Sequence, residues 1–152
     1  MPQRPIRSLA RSPVLLTDAQ WQALRWLPFM STALFSLAMS ALAPDGRRPF
    51  HIDWTLSVAT LEFSIVKAPH IGATAVLAFL GVLGSGRDRW PLALGLTVLV
   101  GAGWELCQTT VIGHYARLSD LAPDTLGAAI GCLLAAAAMW TLEPHHPRGQ
   151  RR

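Results

Sequence analysis

The sequence predicts an all-α fold: an integral membrane four-helix bundle, with an interfacial or re-entrant segment between helices 1 and 2. Three observations predict it. Of 152 residues, 51% are hydrophobic and only 14% charged, whereas soluble domains carry about a quarter charged residues. The charges sit between long apolar stretches. Four of those stretches approach the roughly 20 residues that a helix needs to cross a hydrocarbon core of about 30 Å. The length suits one domain. A positive mean hydropathy excludes disorder as the main state, and the polar surface is too small for an ordinary soluble enzyme.

In chain order, residues 1–23 read as a basic cytoplasmic segment carrying Arg4, Arg7 and Arg11. Residues 24–142 form the membrane domain, and 143–152 a second basic cytoplasmic tail. The first span covers about 24–43. Its end, Ala41-Leu42-Ala43, has the small-residue pattern of a signal-peptide cleavage site. The long polar lead and Pro44 favour a retained helix. Residues 44–66 connect to the second span. Within them, Trp54, Leu56, Val58, Leu61, Phe63 and Ile65 mix with Asp53 and Glu62, and neither a period of 2 nor one of 3.6 fits. The segment reads either as interfacial or re-entrant or as a packed extracytoplasmic loop. The remaining spans cover about 68–84, 90–112 and 121–142. Trp21, Trp26, Trp90 and Trp140 lie near span ends, where interfacial aromatic belts form.

Arg4, Arg7, Arg11, Arg25, Arg87, Arg89, Arg148, Arg151 and Arg152 fall on one side of this topology, against Arg47, Arg48, Lys67 and Arg117 on the other. The positive-inside rule then places both termini in the cytoplasm of an inner membrane. The net charge of +4 is concentrated at segment ends, which suits membrane orientation rather than nucleic acid. Cys107 and Cys132 lie inside apolar runs, with no disulfide framework and no zinc spacing. No cofactor is expected.

Seven polar residues lie in or beside the spans: Lys67, His70, Glu105, Gln108, Arg117, Asp120 and Asp124. Ionisable groups at membrane depth are costly and usually meet a partner or a wet cavity. Lys67 and His70 open the second span, Glu105 and Gln108 close the third, Arg117 and Asp120 lie in the loop after it, and Asp124 opens the fourth. All seven therefore fall at the outward face. Their phases agree. Lys67 and His70, three apart, share a stripe with Thr74, Leu77, Gly81 and Gly84, and Glu105 and Gln108 follow Gly101. Asp120 and Asp124 continue to Gly127 and Gly131, a small-xxx-small packing face. Glu105 is expected to pair with Lys67 or Arg117, and Asp120 to pair with Arg117 or cap the fourth helix. His51, His114, His145 and His146 read as solvated.

Lys67-Ala-Pro-His70, Glu105-Leu-Cys-Gln108, Arg117 and Asp120-x-x-x-Asp124-x-x-Gly127 together resemble the VanZ-like membrane protein family. The likeness covers about residues 65–131 and the layout of spans. The chain departs from the family pattern at Val66, where the family has Asp, and at Asp124, where it has Asn, and its step from Arg117 to Asp120 is short. Asp53 or Glu62 stands as the replacement for the missing carboxylate. The resemblance implies a cell-envelope role in a bacterial membrane, linked in some members to glycopeptide tolerance.

Chemically, the group admits three uses. It can bind a polar or anionic envelope component through all seven residues, Lys67 and Arg117 taking a phosphate or carboxylate while Glu105 and Asp120 accept from hydroxyls or amines. It can be an intramembrane hydrolase or transferase acting on a lipid-linked substrate, with His70 as acid or base and Glu105 as orienter or proton donor. No serine or cysteine stands out as a nucleophile, Ser119 being the nearest hydroxyl with Thr74, Thr109 and Thr125. The third use, a metal, suits one histidine and dispersed carboxylates poorly, so no metal is expected. The first use is preferred. The expected partners are membrane lipid and a lipid-linked or peptidoglycan-related ligand, without nucleic acid; a homo-oligomer is compatible with the sequence.

Overall fold

A computed structural model describes residues 16–142. The expected basic ends, including Arg4, Arg7, Arg11, Arg148, Arg151, Arg152, His145 and His146, lie outside the described residues. Within them the chain is all-α, with five helices: α1 (Asp18–Ser40), α2 (Val58–Ile65), α3 (Ala68–Ser85), α4 (Trp90–Gln108) and α5 (Leu121–Leu142).

Local sequence explains where each helix begins. Thr17 and Gln20 form a capping box at α1, the Thr17 hydroxyl accepting from the Gln20 amide at 3.3 Å and the Gln20 side chain accepting from the Thr17 amide at 2.8 Å. This sets the start six residues before the expected span, because the polar first turns can be helical without being apolar. Ser57 and Thr60 cap α2 in the same reciprocal way. Pro69 and Pro91 stand in the first turns of α3 and α4, and Pro123 in that of α5. There the missing N–H costs no helix bond and the fixed φ suits the helix. Gly86, at φ +89°, ends α3 with a conformation that favours glycine, and a single 3₁₀ turn (Arg87–Arg89) leads into α4. α4 ends at Gln108, four residues before the expected boundary.

Among the described residues, three stretches are long and apolar enough to cross a membrane: Ala68–Ser85, Arg87–Gln108 and Leu118–Leu142. The fourth expected span, α1, is equally long, but Gln20, Gln22, Arg25, Pro28 and three serines dilute its apolar content, and it is not among the three.

α3 packs against α1, α4 and α5. The closest approach is to α5. A Cβ on Gly131 would collide with the Ala75 carbonyl, and one on Gly127 with the Thr74 hydroxyl and Ile71 backbone. As the helical phase predicts, Thr74, Leu77, Gly81 and Gly84 are all buried on α3. The core is built of small side chains, Ala78, Val82, Ala93, Ala128, Cys132 and Ala135 forming one cluster. Phe29, Ala33, Leu77 and Trp104 form the second. Large apolar side chains point outward instead: Leu99 and Leu133 are 68% and 71% exposed. Small-residue interfaces inside an apolar exterior are the arrangement expected when lipid, not water, surrounds the bundle.

Residues 44–66 contain no span-depth helix. Their first part is irregular and hydrogen-bonds to the α4–α5 loop: Arg48 N–H donates to Thr110 O at 2.8 Å, His51 N–H to Thr109 O at 3.1 Å, and Asp53 N–H to Ala116 O at 2.9 Å. Short bridges pair Arg47 with Val111 and Asp53 with Arg117. The two loops thus form one cap over the end of the bundle where α3 and α5 begin, and α2 is the two-turn helix that leads from this cap into α3.

Gly131→Ala is expected to lower the thermal midpoint of the detergent-solubilised protein, at a cost of about 1–3 kcal/mol from overpacking. Gly72→Ala, whose added Cβ would meet nothing within 4 Å, should leave it unchanged or raise it. Equal midpoints for the two variants would contradict the close contact of α3 with α5.

Candidate functional site

Four of the seven predicted residues are held by direct side-chain contacts near the cap. Lys67 directly precedes α3, and its ammonium donates to both carboxylate oxygens of Asp120, at 2.6 and 2.5 Å. Asp120 sits in the 3₁₀ turn Leu118–Asp120 and is 2% exposed. The Ser64 hydroxyl donates to Asp120 Oδ1 at 2.7 Å and lies 2.9 Å from the Ser119 hydroxyl. One turn along each helix, His70 Nδ1 meets Asp124 Oδ1 at 3.0 Å. Asp124 is fully buried. Its carboxyl lies where a side chain on residue 101 would be, so Gly101 makes the room for it.

Glu105 accepts from the backbone N–H of Arg117 at 2.7 Å through Oε2. Neither Glu105 Oε1 nor Asp124 Oδ2, both buried, has a hydrogen-bond partner among the described residues. This corrects two expected pairings. Glu105 binds neither the Lys67 ammonium nor the Arg117 guanidinium, because the loop turns the Arg117 amide toward it and the side chain away. Asp120 pairs with Lys67, not Arg117, since it is folded inward beneath α2. The replacement carboxylate for Lys67 is likewise Asp120, neither Asp53 nor Glu62.

Asp53 instead lies beside Arg117, Oδ2 to Nε at 3.8 Å. Hydrogen bonds from Thr55, its hydroxyl first and its backbone N–H second, hold the Asp53 carboxyl below its ordinary range. The Arg117 guanidinium stacks near two rings, 5.3 Å from Phe63 and 5.8 Å from Tyr115. Among the described residues its two terminal amino groups donate no hydrogen bond, and neither does the Gln108 amide. His51 and His114 are exposed, as expected.

These groups surround an open cavity of about 450 Å³, with Lys67, His70, Gln108, His114, Arg117 and Asp120 in its wall beside Phe63 and Tyr115. Asp124 and Glu105 are not in this wall; Glu105 lines an apolar cleft with Ile52, Trp54 and Leu121, which shares Arg117 with this cavity.

His70, Glu105 and Asp120 each place one potential metal-ligand atom within 4.8 Å of the others, closer than their sequence spacing suggests. The Lys67 ammonium, on both oxygens of Asp120, already supplies a cation at that carboxylate.

Sequence reasoning missed Ser64, Trp104, Phe63 and Tyr115. Ser64 carried a usable signal, lying three residues before Lys67. Trp104 donates from Nε1 to Ser36 Oγ at 2.9 Å and stands edge-on to His70 at 6.2 Å; only the packing of α1 on α4 reveals that role. No family model, curated protein or solved structure matches the chain.

Replacing Lys67 by Met leaves Asp120 buried without its cation and is expected to cost about 3–5 kcal/mol, read as a lowered thermal unfolding midpoint. Adding Asp120→Asn should recover much of that loss. Strictly additive effects in this double-mutant cycle would show that the two groups are not coupled.

Proposed function

We propose that this chain is a VanZ-like multi-pass protein of the bacterial cytoplasmic membrane that binds a polar or anionic cell-envelope component at its outer face. The carrying observation is Arg117: its side chain lines the cavity beside Lys67, Gln108 and His114, and among the described residues neither its two terminal amino groups nor the Gln108 amide donates a hydrogen bond. A planar fork of donors is matched by a phosphate or carboxylate. The resemblance read in the sequence supports the envelope role and the link to glycopeptide tolerance.

In this reading α1 is the fourth span. It is 23 residues long, and Leu27, Leu34 and Phe35 face outward on it. With four spans, the α3–α4 turn, carrying Arg87 and Arg89, lies in the cytoplasm with both termini, and the two-loop cap lies outside.

A second reading, an intramembrane hydrolase or transferase, draws on the His70–Asp124 hydrogen bond. A carboxylate on one ring nitrogen orients an imidazole for acid–base work, with Glu105 behind it. Turnover of a lipid-linked precursor that disappears in His70→Ala, while binding persists, would favour this reading over a pure binding role.

Titrating the protein in lipid nanodiscs with glycerol 3-phosphate is expected to give saturable binding that Arg117→Gln weakens at least tenfold, the worth of one lost charge-assisted fork. Equal binding by the two proteins would remove Arg117 from the site. In a cysteine-free background, Asp53→Cys and His114→Cys should react with a membrane-impermeant maleimide added to spheroplasts. Protection of both until the membrane is permeabilised would invert the topology.

A further inference from the structure

A second cavity adjoins the first. It holds about 300 Å³ between α1, α3 and α4, with Phe35, Met39, Ala73 and Trp104 as its apolar wall. Pro69, His70 and Gln108 line both cavities, so the two volumes meet across the His70 ring and the Gln108 amide. Their chemistry differs. The first is lined by Arg117, His114 and the Lys67–Asp120 pair, whereas the second has no charged side chain apart from the shared His70.

The floor of the second cavity is fixed. Trp104 is 5% exposed, and Ser36 takes its only N–H, so the indole offers an apolar surface with no unmet polar demand. The open side is flanked by Phe35 and Met39 on α1, which are 68% and 51% exposed. Ala73 is exposed on the facing side of α3, where its short side chain leaves the groove open between the helices.

Resting on the anion-binding reading above, we infer that the ligand is an amphiphile with one anionic head and a hydrocarbon chain, the head held at Arg117 beside the Lys67–Asp120 pair and the chain lying in the α1–α3–α4 groove. A soluble anion would use only the first cavity. An apolar groove that runs into a cationic one matches a molecule with the same two halves, and each buried methylene strengthens binding several-fold. The ligand enters sideways from the bilayer, past Phe35 and Met39, and Gln108 and His70 mark the junction between chain and head.

The test uses the full chain in nanodiscs and two probes, glycerol 3-phosphate and dodecyl phosphate, titrated against the native protein, Ala73→Trp and Met39→Trp. Partition of dodecyl phosphate into the bilayer raises its apparent affinity equally for all three proteins, so the difference between them reports the groove. The expected result is a loss of at least tenfold for dodecyl phosphate in Ala73→Trp, with glycerol 3-phosphate held within twofold. Retained glycerol 3-phosphate binding also shows that the variant is folded, and Met39→Trp, filling the groove from α1, should repeat the pattern if Ala73→Trp is not folded. Dodecyl phosphate affinity unchanged in a folded variant would overturn the amphiphile inference and leave the anion site standing. If native mass spectrometry shows that the variants instead convert a dimer to a monomer, a second copy of the chain occupies the groove and the inference is also overturned. Absence of binding by either probe to the native protein would defeat the anion site itself, and this inference with it.

Discussion

Carboxylates buried between apolar helices must find partners, because burial strips them of solvation. Asp120 and Asp124 impose that demand on the start of α5. It is met from the start of α3, by Lys67 for the first and His70 for the second. Two interactions one helical turn apart hold the two helices in a single register. That same register brings Gly127 and Gly131 over Ile71, Thr74 and Ala75. Polar pairing at one end and close backbone packing below it therefore reinforce each other: a slip by one residue would break both. A buried ion pair adds little net stability on its own, but it is well suited to selecting one alignment among several apolar ones.

Once that alignment is set, the cavity follows from what the pairing leaves over. Lys67 and Asp120 neutralise each other, and Glu105 is held by a backbone N–H rather than by a cation. Arg117 is consequently left with an unspent guanidinium, stiffened by Phe63 and Tyr115 and only loosely approached by Asp53. Of the two cations that line the cavity, Lys67 serves architecture and Arg117 stays available at the wall.

Much of this was legible in the sequence for a physical reason. Charged side chains are so costly in apolar stretches that their positions and helical phase nearly determine where they must meet; hence the polar set and the stripe Thr74, Leu77, Gly81 and Gly84 could be read directly. The glycines of α5 were equally readable, since small residues four apart imply close packing. Pairing was harder. Which carboxylate meets which cation depends on how the 109–120 loop turns, and no periodicity encodes that turn; Glu105 and Asp120 were accordingly given the wrong partners. The 44–66 segment was opaque because its order comes from hydrogen bonds to a loop more than fifty residues away, and its short helix is specified by the Ser57–Thr60 cap rather than by an apolar rhythm. The extent of α1 was hidden by polar residues that a helix end tolerates but a hydropathy reading discounts.

The backbone bonding between residues 46–53 and 109–118 ties the connection after α1 to the connection after α4. Helices joined in this way cannot splay apart at that end without breaking several amide–carbonyl bonds together. Among the described residues, the opposite end is linked by side-chain and close backbone contacts instead, the Gln22 amide donating to the Gly84 carbonyl at 3.4 Å. Were such a bundle seated in a bilayer thicker or thinner than itself, any adjustment at the cap end would have to carry both connections as one unit, so the cavity would keep its dimensions.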